Sequence, residues 1–186
     1  MIITIYNPKG GVGKSPISAL IAKELDYKII TNDDSTNEDY LGDIVEYQDK
    51  ININNRDNIV IDLGGWMDKK TLDLLKASDV VLIPFNSKPN AIKRTILLIE
   101  ELKNSGISYN LIFTMYESTQ EFEKTMEKFK IENIEVDYKF PKTKLLDTLI
   151  EKNLKLCDIK KDKTLNNWYK NHLTIFKELI FDLKGL

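Results

Sequence analysis

Cysteine and histidine are almost missing from this chain: its 186 residues hold one of each, Cys157 and His172. A single cysteine excludes an internal disulfide and a cysteine-built zinc site, and it agrees with a reducing compartment. A single histidine leaves too little for a histidine-rich metal site or a conventional Ser-His-Asp triad. His172 is expected on a helix or at the surface, with no chemistry. Long apolar runs are missing too, since no segment approaches the roughly 18 residues of a membrane span. The N-terminal apolar run, Ile2 to Tyr6, is short and leads straight into a glycine-rich loop, unlike a signal peptide. A soluble, cytoplasmic protein is expected.

An excess of positive charge is also absent. The chain carries 27 Lys and Arg against 29 Asp and Glu, which excludes a uniformly basic nucleic-acid binder. The charge is unevenly spread, however. Residues 1–68 hold 6 basic and 12 acidic side chains, a net of −6, whereas residues 139–170 hold 9 and 4, a net of +5. Lysines 139, 142, 144, 152, 155, 160, 161 and 163 form either a phosphate-backbone surface, which Lys93 and Arg94 would join, or a solvated face. No repeat or low-complexity linker marks a boundary, so residues 1–186 are read as a single domain with one core.

What the chain does have begins with Ile2-Ile3-Thr4-Ile5-Tyr6, a buried strand by its β-branched run. Asn7-Pro8-Lys9-Gly10-Gly11-Val12-Gly13-Lys14-Ser15 follows, and then Ile17, Leu20, Ile21 and Leu25 at helical spacing, with Pro16 suited to a first turn. Further strands are expected at 28–31, 59–63, 80–84, 109–114 and 135–140. Helices are expected at 68–77, 90–104, 118–130, 143–153 and 164–184. Residues 40–57 are open, with a short helix or an edge strand around Ile44-Val45. This alternation predicts an α/β fold, a mostly parallel twisted sheet with helices on both faces. The stripe Leu173, Phe176, Leu179, Ile180 and Leu183 reads as core rather than as a membrane-binding face, because Glu178 and Asp182 lie among its lysines. Trp66 is either core or a partner contact.

Strand, glycine-rich loop and helix are the parts of a phosphate-binding loop. The glycines let backbone amides face an anion, and the helix start adds a positive dipole end. Lys14 would reach the β- and γ-phosphates and the Ser15 hydroxyl would ligate Mg²⁺. Pro8 stands where the general motif has its first glycine. Asp62 ends an apolar strand before Gly64-Gly65, as a carboxylate holding the Mg²⁺ shell does, and the glycines would serve a switch loop near the γ-phosphate.

Lys9-Gly10-Gly11-Val12-Gly13-Lys14-Ser15 resembles the deviant Walker A box of the ParA/MinD family of ATPases. The resemblance implies a P-loop NTPase that binds ATP and Mg²⁺ and forms a nucleotide-sandwich homodimer, in which Lys9 reaches the partner's phosphates. It implies catalytic roles for Lys9, Lys14 and Asp33, with Asp33 orienting the attacking water. Nucleotide contacts would come from Lys9, Gly10, Gly11, Val12, Gly13, Lys14, Ser15, Pro16, Thr114 and Pro141, and metal contacts from Ser15 and Asp62. Asp34 takes the place of Asp33 if the register is shifted by one. The function implied is plasmid or chromosome partition. It involves non-specific DNA binding, nucleoid association in the ATP form, slow hydrolysis and a ParB-like centromere-binding partner.

The departures are Thr31, where the family's first aspartate would stand; Pro16, where a hydroxyl residue is usual; Thr114, where an asparagine commonly reads adenine; and the short span from Asp33 to Asp62. The rival readings are a MinD-like membrane- or cargo-positioning ATPase, a small-molecule ligase or kinase such as dethiobiotin synthetase, and a regulatory module that hydrolyses little.

Overall fold

β-Branched and aliphatic runs build the centre of the molecule. The computed structural model describes residues 1–33, 42–53, 57–65 and 67–186. Its strands are β1 (Ile2–Tyr6), β2 (Lys28–Thr31), β3 (Val45–Tyr47), β4 (Ile59–Leu63), β5 (Val80–Phe85), β6 (Asn110–Tyr116) and β7 (Tyr138–Pro141). They form one sheet in the order β3-β2-β4-β1-β5-β6-β7, and every pairing is parallel. Helices are α1 (Lys14–Leu25), α2 (Lys69–Lys76), α3 (Pro89–Asn104), α4 (Thr119–Ile131), α5 (Leu145–Glu151), α6 (Leu156–Lys161) and α7 (Lys163–Lys184).

Successive strand residues point to opposite faces, and both faces are covered. Ile3, Ile5, Val60, Leu82 and Ile112 pack under α1, α5, α6 and α7. Tyr6, Ile61, Val81, Ile83 and Phe113 pack under α2, α3 and α4. The central strands β1, β4 and β5 are therefore nearly continuous apolar runs, as buried parallel strands must be. The α7 stripe from Leu173 to Leu183 is buried in the first of these layers, with the Phe176 ring 4.4 Å from that of Phe140. Among the described residues no helix is long and apolar enough to cross a membrane.

Element boundaries differ from expectation where local chemistry intervenes. Both options left open near Ile44 occur, as a 3₁₀ turn over Gly42–Ile44 leads into edge strand β3. β7 starts three residues late: Ile134 and Val136 pack into the core unpaired, and the Asp137 carboxylate accepts from the Leu111 N–H at 2.7 Å. Helix α6 fills the gap left between the expected helices at 143–153 and 164–184, and it gives way to α7 at Asp162, whose carboxylate caps α7 by accepting from Thr164 and Leu165 N–H. Because the strand order changes direction about β1, the loop after β1 opens at the carboxyl edge of the sheet, where ligands bind in such folds.

Candidate functional site

Side chains from neighbouring elements hold the β1–α1 loop by its carbonyls. Asn86 Nδ2 donates to Gly11 O at 3.1 Å, and the Thr114 hydroxyl reaches Val12 O at 2.9 Å. Arg94 Nη1 lies 3.5 Å from Pro8 O. Fully buried Asn7 anchors the loop's entry: its Nδ2 donates to Pro84 O and Thr95 Oγ1, and its Oδ1 accepts from Lys9 N–H, each at 2.9 Å. Gly11 and Gly13 have φ of +70° and +90°, where a side chain strains the backbone. Nothing lies within 4 Å of a Cβ added at Gly10 or Gly11, so the loop's outer side is clear. The two lysine ammonium groups rest on the loop's own carbonyls, Lys9 Nζ 3.0 Å from Gly10 O and Lys14 Nζ 3.5 Å from Lys9 O.

Beside this cradle sits a carboxylate at an unusual cost. Asp62 is 2% exposed, and its Oδ1 has no hydrogen-bond partner among the described residues. Burial pushes its pKa up to about 6, while a hydrogen bond from the Ser15 hydroxyl and the charge of Lys14 oppose the rise and Asp33 adds to it. Burial also lowers the Lys14 amine, against the pull of Asp62 and Asp33. A buried, orphaned carboxylate oxygen paired with a hydroxyl is a hard-oxygen donor set. It fits Mg²⁺, which takes few protein ligands and completes its shell with phosphate oxygens and water.

Asp33 is brought to the same corner, since a Cβ added at Gly64 would lie 3.5 Å from its Oδ2. Asp34 and Trp66 fall outside the described residues. Pro16 occupies the first turn of α1, where a missing N–H costs nothing. Thr114 is 3% exposed, and its hydroxyl also lies 2.9 Å from Phe85 O, so its side chain braces the loop from beneath. Pro141 ends β7 and, with Tyr116, Glu117, Ser118, Thr119 and Lys142, lines a hollow of about 410 Å³.

The basic surface is thinner than its lysine count. Lys142, Lys155 and Lys161 are ion-paired to Glu117, Asp26 and Asp158. Arg94, counted with the basic face, is half-buried with its guanidinium turned to Pro8 O. His172 is a half-buried helix residue in edge contact with Tyr169. Asn7, Asn32 and Asn86 organise the site without any motif to announce them.

A glycine-rich loop running into a helix start, a lysine within it and a carboxylate on the neighbouring strand are the parts of a P-loop on a parallel sheet. No family model matches the sequence, and no curated protein matches it. Solved structures do. A chain of the MinC:MinD cell division protein complex of Aquifex aeolicus superposes with a TM-score of 0.72 at 17% identity, over 100% of this chain and 96% of that one. A Cyanothece McdA variant in complex with ATP gives 0.69 at 12%, over 100% and 96%. A ParA family ATPase from Chlorobium tepidum gives 0.65 at 13%, over 97% and 98%. The fold is that of the MinD and ParA ATPases.

Proposed function

We propose that this chain is an ATPase of the ParA/MinD kind, which binds Mg-ATP and pairs with a second copy across the nucleotide. The observation that carries the reading is the orphaned Asp62 oxygen beside Ser15 and Lys14, a buried arrangement that makes sense when a cation and phosphates complete it. Lys14 holds the β/γ-phosphates, and Lys9 leaves Gly10 O to reach the partner's nucleotide. Asp33 orients the attacking water. Bound Mg²⁺ supplies charge neutralisation at the phosphates. The protein's part is positioning and electrostatics, which is most of what phosphoryl transfer requires. The hollow around Pro141 is the place for the base, and the ATP complex of the similar McdA structure supports ATP as the ligand.

In the fuller reading the dimer binds DNA without sequence preference, associates with the nucleoid, and is reset by a ParB-like partner during partition of plasmid or chromosome. Pairing two copies doubles the lysine face of residues 139–163. The ion pairs at Lys142, Lys155 and Lys161 favour a second reading, in which the dimer positions cargo on another surface. One experiment separates these readings: size exclusion with light scattering on apo, ADP and non-hydrolysable ATP forms, followed by a DNA shift. The partition reading expects a dimer only with the ATP form. It also expects DNA binding that fades sharply between about 50 and 200 mM salt. A dimer that ignores DNA at low salt leaves the positioning reading; a monomer in all three forms removes both.

A further inference from the structure

Strands β2 and β4 run side by side, and Thr31 opposite Asp62 is the last pair of their ladder. Beyond it the backbone pairing stops, yet the two chains stay together through one side chain. Asn32 Oδ1 accepts from Gly64 N–H at 2.8 Å, and Asn32 Nδ2 donates to Gly64 O at 3.2 Å. One planar amide thus grips both polar groups of a single residue and extends the ladder by a step. Asp33 N–H turns back to the Thr31 hydroxyl at 3.0 Å. A Cβ added at Gly64 would lie 3.5 Å from both the Cβ and the Oδ2 of Asp33. The Asp33 side chain therefore lies directly against the residue that Asn32 holds.

We propose that Asn32 is a positioning residue for phosphoryl transfer, fixing the Asp33 carboxylate over Gly64 by its two-point grip on that residue. The proposal rests on the ATPase reading above. Both Asn32 and Gly64 are only half-buried, so water would satisfy their polar groups if the grip were absent. What the grip adds is geometry rather than stability. It holds the segment carrying Asp33 in register with the segment that follows the Asp62 strand. The task needs a donor and an acceptor on one short planar group. Aspartate lacks the donor, and glutamine places the amide one carbon farther out.

The test compares the full chain with Asn32→Ala and Asn32→Asp, reading ATP turnover, KM, affinity for a fluorescent ATP analogue and melting temperature. Asn32→Ala is expected to lose roughly ten- to hundredfold in kcat while KM and analogue affinity stay within about threefold, because only the placement of the reacting groups is disturbed. Its melting temperature should match wild type. Asn32→Asp keeps the acceptor for Gly64 N–H but sets an oxygen against Gly64 O, so it should fall with the alanine variant. If Asn32→Ala does not fold, the near-isosteric Asn32→Asp carries the test by the same criterion. Wild-type turnover in the folded variants, or a loss of nucleotide affinity that parallels the loss of turnover, overturns the assignment. An inactive wild-type protein overturns both this proposal and the ATPase reading. An active one indifferent to Asn32 overturns this proposal alone.

Discussion

The hydroxyl of Thr114, within β6, lies 2.9 Å from the main-chain oxygen of Val12 in the glycine-rich loop and 2.9 Å from that of Phe85. One buried donor thus ties the loop to two neighbouring strands. Thr114→Val keeps the shape and removes the donor, leaving a buried acceptor unsatisfied at about 1–3 kcal/mol. For a chain of this size that lowers the melting temperature by roughly 2–4 °C per kcal/mol. ATP affinity should fall with it, because Val12 is then free to turn. Thermal melts with and without nucleotide check both effects, and wild-type values in both would show that the brace contributes nothing.

Lys14→Ala should abolish nucleotide binding. Lys14 opens the first turn of α1 within electrostatic reach of Asp62 and Asp33, and in the proposed reading it is the side chain that takes the β- and γ-phosphates. Calorimetry with ATP and ADP measures it; unchanged affinity would mean that the loop is not a nucleotide site.

Lys9→Ala should bind ATP much as wild type does, yet fail to dimerise and fail to turn over. Its ammonium rests on Gly10 O within its own loop, a contact that adds little and is free to break. Light scattering with a non-hydrolysable ATP reads the outcome. A variant that pairs normally would remove the case for a lysine acting in trans.

The Asp62 carboxyl gives a pH signature. In the folded chain it holds its proton up to about pH 6, whereas an unfolded aspartate releases it near pH 3.9. Between those values the folded state binds more protons, so stability from this group is full below the lower value. It is lost as pH rises through the upper one. Asp62→Asn should therefore flatten the melting curve against pH across this window and melt higher than wild type at neutral pH. The stabilisation conferred by Mg²⁺ with nucleotide should grow in wild type as pH rises through 6 and be absent in the variant. A wild-type profile in Asp62→Asn would contradict the assignment.

The sheet and the loop could be read from the sequence because their signals are local. Each buried strand is a run of β-branched residues, and a glycine-rich turn before a helix leaves few alternatives. Asp62 was legible for the same reason, as the only charge in an apolar run. The braces were not. Asn7, Asn32 and Asn86 act across 32 to 88 residues of sequence, and an asparagine in a loop ordinarily reads as a turn. The resemblance implies a nucleotide contact for Thr114; its bracing of the loop appears only when β5, β6 and the loop are brought together. The lysines of 139–163 are visible in the sequence as a count, but the pairing of Lys142 and Lys155 is not, since Glu117 and Asp26 lie outside that segment.

The C-terminal helix makes one last difference, to how this molecule can meet a surface. Leu173, Phe176, Leu179, Ile180 and Leu183 are all at most 5% exposed, and each such burial is worth about 1.5–3 kcal/mol. Peeling the helix away would forfeit roughly 8–15 kcal/mol by that measure, comparable to the whole stability of an ordinary domain. It would also uncover Phe140 on the sheet, whose ring lies against that of Phe176. A tail lent to a lipid bilayer must be detachable, and this one is a wall of the building. Attachment to a surface therefore has to draw on something other than this stripe, because freeing it would unmake the unit to which it belongs.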